Sequence, residues 1–157
     1  MFTIEKKSVK VGKLVNTAHV NELIANYKKE RWAHNTAHIG KADSMSVWWS
    51  IEELEEFIAK AKDHGADGLR MFFGAYGKET APNDLYAERQ TIVMVATKDK
   101  KTEKGTTARK EVFYNTEEGP SVLAYNLGSI CPPWCGTGTG DNEPDGPGIS
   151  ITIVEKA

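Results

Sequence analysis

The stretch SVWWSIEELEEFIAKAKDHGADGLRMFFGAY, Ser46 to Tyr76, decides the fold class. Ser50-Ile51-Glu52-Glu53 has the form of a capping box: the Ser50 side chain accepts from the backbone N–H three residues on, and Glu53 reaches back to the Ser50 N–H. Ile51, Leu54, Phe57, Ile58 and Ala61 then fall on one helical stripe. Glu52, Glu53, Glu55 and Glu56 crowd the first half and Lys60 and Lys62 the second, so the charges complement the helix dipole. Gly65 supplies the left-handed residue that closes the helix. Ser46–Trp49 before it and Leu69–Tyr76 after it read as strands, the second apolar on both faces. Strand, helix and strand in this order predict one right-handed βαβ crossover over 46–76.

Working outward, Thr91–Ala96 is a stronger apolar run, which predicts a central strand covered on both faces. The Lys-rich segment Lys98–Lys110, diluted by Asp99 and Glu103, reads as a solvated hairpin tip. Glu111–Tyr114 and Ile149–Val154 complete the expected strands. Toward the N-terminus, Asn16 and Thr17 can cap a helix. Val20, Leu23, Ile24 and Tyr27 give it one apolar face, over about residues 19–31 or a little beyond. Thr3–Val15 alternates imperfectly and predicts one or two short strands. The sum is an α+β fold: a mixed, mainly antiparallel sheet with two principal helices packed mainly on one face. No repeat or linker divides residues 1–157, which predicts a single domain with a Pro/Gly-rich loop at 129–148.

The 157 residues suffice for one core. Twenty basic and 22 acidic residues give a net charge of −2, which carries no electrostatic footprint for nucleic acid or an anionic membrane. The N-terminal residues lack the apolar centre of a secretory signal, and no apolar run approaches the ~18 residues of a membrane helix. A cytoplasmic setting is the expectation, unless a leader has been removed. In a reducing compartment Cys131 and Cys135 are not expected to form a stable structural disulfide.

Val47–Leu54, Gly65–Tyr76, Arg89–Thr97 and the late Cys131-Pro132-Pro133-Trp134-Cys135 together resemble a group of small uncharacterised proteins of Bacteroidetes-type bacteria with a C-terminal CPPxC motif. The likeness spans Ser46 to Cys135. It implies one small bacterial domain and brings no known activity and no catalytic residue.

Two constellations carry chemistry. Arg70 interrupts an apolar strand and Arg89 opens the next; if the strands pair, both guanidinium groups line one pocket with Tyr76 and Tyr86, suited to a small anionic ligand held bidentately. The loop Gly77–Glu88 is long enough to be functional. The structural alternative is an ion pair of Arg70 with Glu88 or Asp67. The second constellation is Cys131 and Cys135, spaced C-x₃-C with a stiff Pro-Pro between them. They can form a reversible disulfide, act as a thiol redox pair, or join His34 and His38 in a Cys₂His₂ zinc site. The alternative is that both cysteines only fix a loop and both histidines are solvated. Asp141–Gly146 matches a calcium loop too poorly to assign one, and Gly136–Gly140 lacks the Lys of a phosphate loop. No nucleophile triad, zincin or dinucleotide motif is present in the sequence. The reading is a non-catalytic binding or regulatory domain without a cofactor, engaging a small anionic ligand or a protein partner; the alternative is a thiol redox or metal-responsive protein. The oligomeric state has no signature.

Overall fold

The structure is a computed structural model that describes residues 9–135. The strand expected at Ile149–Val154, most of the loop at 129–148 and the start of the segment Thr3–Val15 lie outside them. Residues 9–15 carry no strand, so the short strand expected there is absent from the described part. The fold is α+β with antiparallel sheets. The chain divides into two compact units, each made of interleaved segments. Because the chain passes from one to the other several times, no linker in the sequence marks them.

The first unit holds Trp48–Ala75 and Thr91–Ser129, with residues 9–11. Its helix α3 (Ile51–Asp63) starts at the predicted capping box: Ser50 N–H donates to Glu53 Oε2 at 2.8 Å, and Glu53 N–H to Ser50 Oγ at 3.2 Å. Gly65 follows with φ 85°. The sheet runs β2 (Gly68–Ala75), β3 (Gln90–Lys101), β4 (Thr107–Glu111), with β7 (Ala124–Tyr125) also on β3. β3 and β4 form the expected basic hairpin, registered Thr97 to Glu111 and Lys101 to Thr107. Arg109 grips Asp99 across it with bonds of 2.8 and 3.2 Å. β5 (Phe113–Thr116) and β6 (Gly119–Val122) make a second hairpin. The strand expected over Glu111–Tyr114 is broken at Val112. Its N–H donates to Ala96 O and its carbonyl accepts from Leu123 N–H, joining three chain segments at one point.

The core of this unit is Phe57, Ala61, Met94, Ala96, Val112 and Leu123. Met94, Val95, Ala96 and Thr97 are all buried. Consecutive strand residues face opposite sides, so β3 is covered on both faces as its composition predicts. Of the two adjacent tryptophans, Trp48 is exposed and Trp49 packs against the core.

The second unit holds Gly12–Val47, Tyr76–Gln90 and residues 130–135. Asn16 caps α1 (Thr17–Tyr27), its Oδ1 accepting from His19 N–H at 2.9 Å. The helix does not stop near Arg31. It widens into a π-helical turn over Lys28–Trp32 and continues as α2 (Ala33–Ile39), closed by Gly40 with φ 75°. Trp32 explains the continuation: its ring is buried, and Nε1–H donates to the Asp43 carbonyl at 2.7 Å. β1 (Ser46–Trp48) pairs with β8 (Ser129–Cys131) in a separate ribbon. This corrects the βαβ crossover. β1 and β2 belong to different sheets, because the hydrogen-bonding edge of β1 is taken up by a segment more than eighty positions downstream.

Candidate functional site

In the first unit the site is built on β2. Leu69, Met71 and Phe73 share one face of this strand and Arg70 and Phe72 the other. Leu69 packs against the core beneath α3. It also lines a cavity of about 360 Å³ with Ile58, Ala61 and Ala66, rimmed by Lys62 and Asp67. Further along the same face Met71 is 58 % exposed and Phe73 82 % exposed. The covering on both sides expected of β3 is present there, whereas β2, apolar on both faces as expected, is exposed at Met71, Phe72 and Phe73. Among the described residues β2 is bonded to β3 alone, so it lacks a second neighbour to bury its side chains. Arg70 lies 3.8 Å from Glu111, both half-exposed, and its guanidinium stands 6.0 Å from the Phe72 ring centre. Its acid is thus the cross-sheet Glu111 rather than Glu88 or Asp67.

Arg89, Tyr76 and Tyr86 belong to the second unit, and there the structure brings them together. Tyr76 N–H donates to Arg89 O, Glu88 N–H to Tyr76 O and Arg89 N–H to Tyr86 O. The two tyrosine rings lie 5.5 Å apart. These bonds tie the ends of the loop 76–90 together, as in an Ω-loop. Glu88 completes the closure with φ 65°, in the left-handed region. Arg89 is only 4 % exposed. Its Nε–H donates to Ala42 O at 2.8 Å and Nη1–H to Leu85 O at 2.5 Å. A buried guanidinium spent on main-chain carbonyls anchors the loop, and this is the role the geometry gives it.

Beside it is a polar knot that the sequence reading did not find. Asp43 is 3 % exposed. Its Oδ1 accepts from Ser44 N–H at 2.8 Å and from Gln90 N–H at 2.7 Å. Its own N–H donates to Thr36 Oγ1 at 3.0 Å. Ser44 Oγ donates to Gln90 O, and Tyr27 OH to Gln90 Oε1. Burial, and secondarily the charge of Asp43, hold the Tyr27 hydroxyl above its ordinary range. Nothing in the run Gly40-Lys41-Ala42-Asp43-Ser44 distinguishes this Asp from one in a solvated loop, so no sequence signal could have found it.

Also in this unit, Cys131 and Cys135 are joined by a disulfide, with Cα atoms 4.8 Å apart. Pro132 and Pro133 are fully buried, Trp134 is exposed, and both cysteines are half-buried. Trp134 N–H donates to Ile130 O across the bridge at 2.9 Å, and Cys131 O accepts from Met45 N–H at 2.6 Å. In a chain-entropy account, so short a loop contributes only about 2 kcal/mol to stability. His34 and His38 sit on α2, both exposed. The sulfurs are bonded to each other rather than held as thiolates. Among the described residues no three or more His, Cys, Asp or Glu side chains are grouped to hold a metal ion.

No helix in the described residues is long and apolar enough to cross a membrane. Comparison with family models, curated proteins and solved structures finds no match. The functional reading rests on the geometry alone.

Proposed function

We propose that the chain is a small non-catalytic binding domain, acting in a cytoplasmic setting, that captures an extended apolar segment of a protein partner along β2. One observation carries this reading: the cavity at Leu69 and the exposed Met71 and Phe73 lie in line on a single strand face. A contiguous exposed apolar strip rimmed by charge is the usual mark of an interaction surface. An extended peptide can add its backbone to a strand edge and place alternate side chains on the same face. One apolar side chain then enters the cavity between Ile58 and Ala66, and the next ones cover Met71 and Phe73. On the opposite face Arg70, half-exposed beside Glu111, offers an acidic residue of the peptide a charge-assisted partner. Arg89 is outside this site because its donors serve the loop.

Panning random displayed peptides on the immobilised full chain tests the reading, with Phe73→Ser as the counter-selection target. The expected result is peptides of alternating apolar and polar residues that lose binding to Phe73→Ser and to Met71→Ser. Peptides that bind wild type and both variants equally, or no enrichment, would overturn it.

A further inference from the structure

We infer that Cys131–Cys135 is an exchangeable disulfide, opened by a dithiol and closed again by a disulfide oxidant, and that its state sets the order of the Trp134 loop. The site lies in the second unit and is independent of the β2 surface. Three observations carry it. The bridged residues are only four positions apart, so the bond crosslinks little chain and is poorly suited to be a global staple. Both cysteines are half-buried and adjoin the 41 % exposed Trp134, so an incoming thiolate has access to sulfur. The loop is anchored from within by Pro132 and Pro133, both buried, and by Ile130, which is fully buried in β8. Opening is therefore local, and β8 keeps its place beside β1.

A thiolate of the dithiol attacks one sulfur, forms a mixed disulfide and releases the other sulfur as a thiolate. The second thiol of the reagent then displaces the protein thiolate and leaves as a cyclic or intramolecular disulfide. Two electrons and two protons pass to the protein, giving two cysteine thiols, and the dithiol is oxidised. The nearest backbone contacts register the change. Trp134 N–H loses the ring closure that holds it on Ile130 O. The Met45 N–H bond to Cys131 O, next to the buried Ser44, marks how far the loosening spreads.

The test uses the native full chain titrated with reduced and oxidised dithiothreitol, trapped with N-ethylmaleimide and weighed. Two adducts per chain must appear without denaturant. Residue-resolved hydrogen exchange then compares the oxidised chain, the reduced chain and Cys131→Ser/Cys135→Ser. The Trp134 amide exchanges about ten-fold faster or more in the latter two, a local opening in kind, while the amides of Met94 and Ala96 keep their protection. If the double variant fails to fold, the reduced wild type carries the comparison alone. Adducts that form only in denaturant, or identical exchange at Trp134 in the oxidised and reduced chains, overturn the inference.

Discussion

In the first unit the buried cluster is Phe57, Ala61, Met94, Ala96, Val112 and Leu123, and Phe57 stacks on Tyr125 at 5.1 Å. In the second unit Asp43, Ser44 and Arg89 are buried too, alongside Trp32, Tyr86 and Ile130. The first cluster is held by removal of apolar area from water, which is non-directional and tolerates exchange of one apolar side chain for another. The second depends on directed bonds to N–H and C=O groups. Once buried, these groups cost roughly 1–3 kcal/mol each if left unpaired. The two regions should therefore fail to different substitutions, and the following expectations probe that contrast.

The largest effect belongs to Met94, fully buried at the centre of β3. Met94→Ala leaves a cavity and should cost about 3–4 kcal/mol in urea unfolding. A loss under 1 kcal/mol would mean that the apolar cluster contributes little. Arg89→Leu removes the guanidinium and strands the Ala42 and Leu85 carbonyls. We expect a loss of about 2 kcal/mol, with faster amide exchange across Tyr86–Gln90. At α3, Ser50→Ala removes the cap and should cost about 1 kcal/mol.

The same cap gives a pH dependence. Hydrogen bonds from the Ser50 backbone, then from Tyr125 OH and the Ser50 hydroxyl, hold the Glu53 carboxyl below its ordinary 4.5. A carboxyl whose pKa is lower when folded stabilises fully above its unfolded value. That contribution is lost as pH falls through the lower folded value. Glu53→Gln should therefore flatten the stability profile on the acid side of about pH 4.5 and leave its slope at neutral pH unchanged; an unchanged acid limb would count against the Glu53 bonds. The smallest effect belongs to Phe73→Ser. A side chain this exposed should change stability by no more than about 0.5 kcal/mol. A larger loss would mean that Phe73 is part of the packing and not a surface held out for a partner.

The contrast also explains what was legible in the sequence. The capping box, the helix after it, Gly65, the buried β3 and the basic hairpin all follow from periodicity and turn chemistry, because the first unit is organised by apolar pattern. Periodicity ran short at β2, where Leu69–Phe73 resembles β3 in composition yet Met71, Phe72 and Phe73 stand exposed. An edge position is set by which strands pair, and spacing does not encode that. The second unit was hardly legible. Burial of Asp43 depends on Gln90 and Thr36 arriving from distant segments, and the pairing of β1 with β8 is likewise non-local. Of the predicted ligand residues, Tyr76, Tyr86 and Arg89 do come together, but as the closure of a loop; Arg70 stands in the other unit beside Glu111. The cysteine spacing left bridge, thiols and metal open; in the structure the two sulfurs are bonded to each other.

Urea unfolding of Asp43→Asn and Asp43→Leu, side by side, tests most directly whether directed polar bonds hold the second unit. The two side chains share one branched shape, and only Asn keeps an oxygen to accept from the Ser44 and Gln90 N–H groups. The account predicts that Asp43→Leu is less stable than Asp43→Asn by about 2 kcal/mol or more. Equal stability, or a more stable Asp43→Leu, would show that packing alone holds this unit and would contradict it.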